Sequence, residues 1–164
     1  MMFKLHLFWV VVVAAAVDAS QSCGAPPNNQ CEDAIGPLTL DGTPTEGATS
    51  CASADTQSPY CDRSIRAKSI WYYVVGNGST IQATTCDSVY TYDTAITIFS
   101  GSCINSDNGL SDLVCIAYND DDDTCQHGFQ SLVTWNSQIG VTYYILVYGF
   151  STYSGDFTLR VSTL

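Results

Sequence analysis

The run Asn119-Asp120-Asp121-Asp122-Asp123 sets five oxygen-bearing side chains in succession, directly after an apolar stretch that ends at Tyr118. Calcium selects clustered carboxylates and carbonyls, and repulsion among the aspartates favours a counter-cation. The run is not an EF-hand: counted from Asn119, position six is Thr124 in place of Gly and position twelve is Gln130 in place of Glu. A site must therefore draw on another loop. Tyr92-Asp93-Thr94 offers a further carboxylate at the head of a strand-like run. The expected ligands are Asp93, Asn119, Asp120 and Asp121, with calcium as the ion, while Asp122 and Asp123 stay solvated. The competing reading is a solvated loop, with Asp93 capping a turn through its own backbone.

Other chemistry is restricted by what the chain lacks. Of its two histidines, His6 lies in the apolar leader described below, so His127 alone would serve a nucleophile, and no G-x-S-x-G elbow accompanies it. H-E-x-x-H, a phosphate loop and the dinucleotide glycine pattern are also missing. A carboxylate pair acting as general acid and base remains open, since glycosidases need little else. Aromatic residues gather at Trp71-Tyr72-Tyr73, Tyr90 and Tyr92, Tyr143-Tyr144, and Tyr148, Phe150 and Tyr153. Neighbours along a strand point to opposite faces, so part of each group is core and part is outside. Tyr148, Phe150 and Tyr153, around a loop with Gly149 and Gly155, are the expected ligand-contact patch. Asn77-Gly78-Ser79 is an N-glycosylation sequon placed in a turn.

Strands must position these groups. Runs rich in Val, Ile, Thr and Tyr predict strands over Pro37–Leu40, Ser69–Val75, Thr80–Cys86, Ala95–Ser100, Leu113–Tyr118, Ser131–Trp135, Thr142–Tyr148 and Asp156–Ser162. Turn formers separate them, among them Gly76-Asn77-Gly78, Asn108-Gly109 and Ser154-Gly155. No segment has a helical period with caps. All five prolines precede residue 60, so residues 20–65 are expected to be irregular and pinned by cysteines. The predicted fold is all-β, a two-sheet antiparallel sandwich of jelly-roll-like form, in a single domain over 20–164.

Lys4 and the apolar run Leu7–Val17 read as a secretory signal peptide over 1–19, too short to span a bilayer. No second apolar stretch long enough to span follows. Cys23, Cys31, Cys51, Cys61, Cys86, Cys103, Cys115 and Cys125 all come after it, an even set that reads as four disulfides in an exported chain. Zinc ligation would need C-x-x-C pairs, and the tightest spacing is Cys23 to Cys31. Neighbour pairing is the expectation: Cys23 with Cys31, Cys51 with Cys61, Cys86 with Cys125, and Cys103 with Cys115. The net charge of −11 repels phosphate backbones and argues against nucleic acid as a partner.

An ordered set of segments resembles the pre-peptidase C-terminal-like domain. It comprises Asn29-Gln30-Cys31-Glu32-Asp33-Ala34-Ile35, Ile70-Trp71-Tyr72-Tyr73, Tyr92-Asp93-Thr94 running to Phe99-Ser100-Gly101-Ser102-Cys103, Asn119-Asp120-Asp121, Val141 to Val147, and Gly155-Asp156-Phe157-Thr158-Leu159. The resemblance spans roughly Asn28 to Leu164. It implies a jelly-roll-like sandwich, non-catalytic in many members and, in some, binding calcium or extracellular polymer. On that likeness Asp93 and Asn119-Asp120 match acidic positions of the family, whereas Asp122 and Asp123 extend its motif. No peptidase accompanies the module in this sequence, so its role rests on fold analogy.

The expected function is a secreted, non-catalytic binding, adhesion or matrix module, calcium-stabilised, that engages extracellular polysaccharide or a matrix protein. One alternative is a small aspartate-dependent glycoside hydrolase. Another is a disulfide-rich secreted inhibitor or effector presenting the loop from Ala52 to Tyr60.

Overall fold

The structure is a computed structural model and describes residues 23–55, 59, 61, 67–88, 92–104 and 112–164. The expected leader, Tyr90, the Asn108-Gly109 turn and part of the Ala52 to Tyr60 loop lie outside the described residues.

Two antiparallel four-stranded sheets face one another. One has the order β1 (Thr45–Ala48), β8 (Asp156–Thr163), β3 (Thr80–Thr84), β6 (Leu132–Asn136). The other has the order β2 (Ser69–Val75), β7 (Thr142–Gly149), β4 (Thr94–Ser100), β5 (Val114–Asn119). No α-helix occurs among the described residues. The alternation of side chains along each strand sorts the core. Ile70, Tyr72 and Val74 of β2, Ile96 and Ile98 of β4, and Ile145 and Val147 of β7 point inward. They meet Ile81 and Ala83 of β3, Val133 and Trp135 of β6, and Phe157, Leu159 and Val161 of β8. Each fully buried large side chain contributes about 1.5–3 kcal/mol.

The outer face of the second sheet is also covered. Trp71, Phe99 and Leu146 are each 0 % exposed and pack with Cys31, Cys61, Cys103 and Leu113 in a separate apolar cluster. This explains why β2 and β4 read as nearly unbroken apolar runs, Ser-Ile-Trp-Tyr-Tyr-Val-Val and Thr-Ala-Ile-Thr-Ile-Phe-Ser: both faces are buried. The cover comes from the proline-containing N-terminal segment, which docks on the edge of β2, together with Cys103 and Leu113 of the β4–β5 connection. Trp71 N donates to Asn28 O (2.9 Å), Asn28 Nδ2 to Trp71 O (2.9 Å), and Tyr73 N to Ile35 O (3.0 Å).

Two strand expectations need correction. Pro37–Leu40 is not a strand: it crosses between the sheets, bridged to Tyr72 at Ile35 and to Ser162 at Asp41. Conversely Thr45–Ala48, short and containing Gly47, does form a strand, because β8 offers its edge in register from Thr45↔Leu159 to Ala48↔Asp156. β3 stops at Thr84 because the Thr84 hydroxyl takes the Cys86 N–H (3.0 Å).

The disulfide pairing differs from neighbour pairing in three bridges out of four. The bonds are Cys23–Cys51, Cys31–Cys103, Cys61–Cys115 and Cys86–Cys125, and only the last matches the expectation. Closure of the sheet decides this. Folding the N-terminal segment over the outer face brings Cys31 beside Cys103, 72 residues away, and Cys61 beside Cys115. A bulge between Ile98 and Phe99 on the β4–β5 pair supplies the phase shift that sets Cys115 opposite Phe99, facing this cover.

Candidate metal centre

Asp93 immediately precedes β4, and Asp120 and Asp121 immediately follow β5. The antiparallel register pairs Ile96 with Asn119, so the start of one strand lies beside the end of the other. As a result one carboxylate oxygen from each of Asp93, Asp120 and Asp121 falls within 4.8 Å of the other two. Two oxygens on one calcium ion stand no further apart than about 5.2 Å, twice the longest usual Ca–O distance. The three side chains therefore satisfy the spacing for a shared ion. They supply only part of a shell of six to eight oxygens, the remainder of which falls to carbonyls and water.

The loop is held by neutral side chains. Ser131 Oγ lies within hydrogen-bond reach of the carbonyls of Thr94 and Asp120, and Thr85 Oγ1 meets Thr94 Oγ1 (2.6 Å) in a buried position. Asn119, expected as a ligand, directs its amide elsewhere: Oδ1 accepts from Leu132 N (3.1 Å) and Nδ2 donates to Asp121 O (3.2 Å). It joins β5 to β6 and shapes the acidic turn. Asp122 Oδ1 accepts from Thr124 N (2.9 Å), capping its own turn, and Asp123 is exposed, so neither enters the cluster. Cys125, bonded to Cys86, closes the turn from behind.

Electrostatically the cluster is loaded. The Asp93 carboxyl is pushed up to about 6, first by burial and then by the negative charges of Asp121 and Asp120. Asp93 Oδ1 is buried and accepts no hydrogen bond. A divalent ion would relieve both the desolvation and the repulsion.

Aromatic groups flank this end of the sandwich. Phe150 N donates to Asp93 O (3.1 Å), and Tyr153 N to Phe150 O (3.0 Å). Thr94 N donates to Phe129 O (2.9 Å). Phe129, Phe150 and Tyr153 are 54 %, 41 % and 60 % exposed. Gly149 makes the tight β7–β8 turn possible, since a Cβ there would stand 2.1 Å from Tyr153 O. Tyr148 does not join the patch: it is half-buried on the outer face, its hydroxyl 3.2 Å from Thr97 Oγ1. Phe129 escaped the sequence reading. Its signal was a lone aromatic in the polar loop between the acidic run and β6, which gains meaning only from its bond to Thr94.

The fold and site together define a disulfide-bonded β-sandwich with a three-carboxylate cluster at one end. No protein-family model matches the chain, and no curated protein matches it. Among solved structures, CorA, a surface-associated copper-binding protein important in copper acquisition in Methylomicrobium album BG8, superposes with a TM-score of 0.47. The identity is 10 %, and the match covers 74 % of this chain and 94 % of that chain.

Proposed function

We propose that this chain is a secreted, non-catalytic binding module of the pre-peptidase C-terminal-like kind. Asp93, Asp120 and Asp121 hold calcium, and Phe129, Phe150 and Tyr153 contact extracellular polysaccharide or another matrix polymer. The observation that carries the reading is the convergence of three carboxylates within 4.8 Å, backbone-linked through Asp93 and Thr94 to two exposed aromatic loops. An all-oxygen donor set favours calcium over softer metals, which prefer imidazole or thiolate, and all eight cysteines are engaged in disulfides. Those disulfides and the apolar leader support export. No helix among the described residues is long and apolar enough to cross a membrane. Asn77 is exposed in the β2–β3 turn, suited to carrying a glycan. The hydrolase alternative asks for carboxyls roughly 5 to 9.5 Å apart; a closer triple cluster fits cation ligation better.

Thermal unfolding with calcium or chelator, paired with retention on insoluble polysaccharides, tests this. With a Kd on the order of 10⁻⁴ to 10⁻³ M, 10 mM calcium adds about 1.4–2.7 kcal/mol, a rise in Tm of roughly 3 to 11 °C. Asp120→Asn abolishes that rise. Phe150→Ala with Tyr153→Ala keeps the rise and loses retention. An unchanged Tm in calcium removes the ion from the account.

A further inference from the structure

β1 and β2 end their sheets on the same side of the sandwich, and a groove separates them. Gly47 sets its depth. A Cβ at this position would stand 2.5 Å from the Tyr72 hydroxyl and 2.4 Å from Phe157 Cζ, so only glycine lets β1 settle onto these rings. The resulting groove measures about 260 Å³, lined by Pro26, Pro27 and Ile35 together with Thr45–Ala48, over the buried Ile70 and Tyr72. A more open depression of about 340 Å³ adjoins it across Glu46, Gly47 and Ala48 and takes in Asp156.

The two edges differ. That of β2 is taken by the N-terminal segment through Asn28 and Ile35, whereas β1 has β8 on one side and the groove on the other. A terminal strand presents backbone N–H and C=O groups that template another strand. Glu46 on the edge strand and Asp156, opposite Ala48 on the neighbouring β8, are exposed carboxylates that share the adjoining depression, and Glu46 already accepts from Thr158 Oγ1 (3.1 Å). The whole chain carries −11. Such an edge is complementary to a cationic chain with apolar side chains on its alternate positions.

We propose that β1 is a docking edge for an extended, basic segment of a partner polypeptide. The segment adds as a strand beside Thr45–Ala48, sets an apolar side chain over Tyr72 and directs a lysine or arginine to Glu46 and Asp156. None of the carboxylates of the calcium cluster takes part, so the two sites fail or succeed separately.

The probe is a ten-residue peptide alternating Lys and Val, with a Glu-Val peptide as control, titrated against the isotope-labelled protein. The Lys-Val peptide is expected to perturb the amides of Thr45–Ala48, to bind at least tenfold more weakly in 0.5 M than in 0.05 M salt, and to outbind the control. Glu46→Lys weakens binding at least tenfold with the near-ultraviolet circular dichroism unchanged, and Asp156→Lys serves as a second variant should the first disturb the fold. Equal binding of the Glu-Val peptide, perturbations centred on Asp93 and Phe150, indifference to both substitutions, or occupation of the groove by a neutral oligosaccharide in place of peptide would each overturn the proposal.

Discussion

The two apolar clusters formed by the described residues rest on different physics. The inter-sheet core is built chiefly from strand alternation, with Ala52 and Tyr92 added from loops: Ile98, Ile145 and Phe157 are 0 % exposed, and the cluster contains no cysteine. The outer cluster buries Trp71, Phe99 and Leu146 just as fully, yet its lid is an irregular segment with one short 3-10 turn, Cys31–Asp33. Such a lid has few backbone ladders to hold it, and the cysteines that line it, Cys31, Cys61 and Cys103, are all cross-linked. A sheet face without a partner sheet can be sealed by covalent closure of long loops in place of a second ladder.

The largest expected effect breaks the lid. Replacing Cys31 and Cys103 by Ser removes a closure over 72 residues, worth about 4 kcal/mol in the chain-entropy account. Urea unfolding monitored by tryptophan emission, to which the lidded Trp71 contributes, should then show an early red-shifted phase ahead of the loss of far-ultraviolet sheet signal. Coincident transitions would mean that the two clusters are one cooperative unit. The next effect sharpens the contrast. Leu146→Ala and Ile98→Ala each cost about 2–5 kcal/mol in the cross-linked protein. In the Cys31→Ser/Cys103→Ser background the Leu146→Ala cost should fall below half its value while the Ile98→Ala cost stays. Additive costs at both positions would show that the lid stays seated without its bridge.

The same contrast explains what the sequence disclosed. β2 was legible residue for residue, Ser69–Val75, because its β-branched and aromatic run is long and bounded by Gly76. The sandwich itself followed from such runs. β1 was illegible: Thr-Glu-Gly-Ala has little intrinsic strand preference, and its conformation comes from the edge of β8. Disulfide pairing failed for the lid and held for Cys86–Cys125. Spacing along the chain carries no information about which loops a closed sheet brings together. Of the expected ligands, Asp93, Asp120 and Asp121 converge because strand register places them, whereas the bonding of Asn119 to Leu132 depends on where β6 runs, which no local pattern announces. Phe150 and Tyr153 reached the cluster as a loop, and Tyr148 was turned away by the alternation of β7.

The smallest effect concerns charge and separates the acidic end from the rest of the surface. Two carboxyls are displaced in opposite directions. Asp41 is held down at about 2, foremost by the Thr43 backbone N–H and then by the hydroxyls of Thr43 and Thr39, on an exposed turn. Asp93 is raised to about 6 by burial and by its two acidic neighbours. A lowered carboxyl stabilises above its unfolded value of 3.8 and loses that contribution as pH falls towards 2. A raised one behaves inversely: without calcium, folding is favoured most below about pH 4 and weakens as pH climbs through 6, where Asp93 must ionise beside Asp120 and Asp121. Calcium binds the ionised form, so its stabilisation grows over the same window and offsets the decline. Tm measured from pH 4 to 7 in chelator should therefore fall, with a gentle slope because Asp93 is part-exposed, and should fall less or rise in calcium. Asp93→Asn should flatten the chelator curve and erase the difference between the two conditions. A slope that survives this substitution would place the titrating cost elsewhere on the acidic surface and leave the three-carboxylate cluster electrostatically unremarkable.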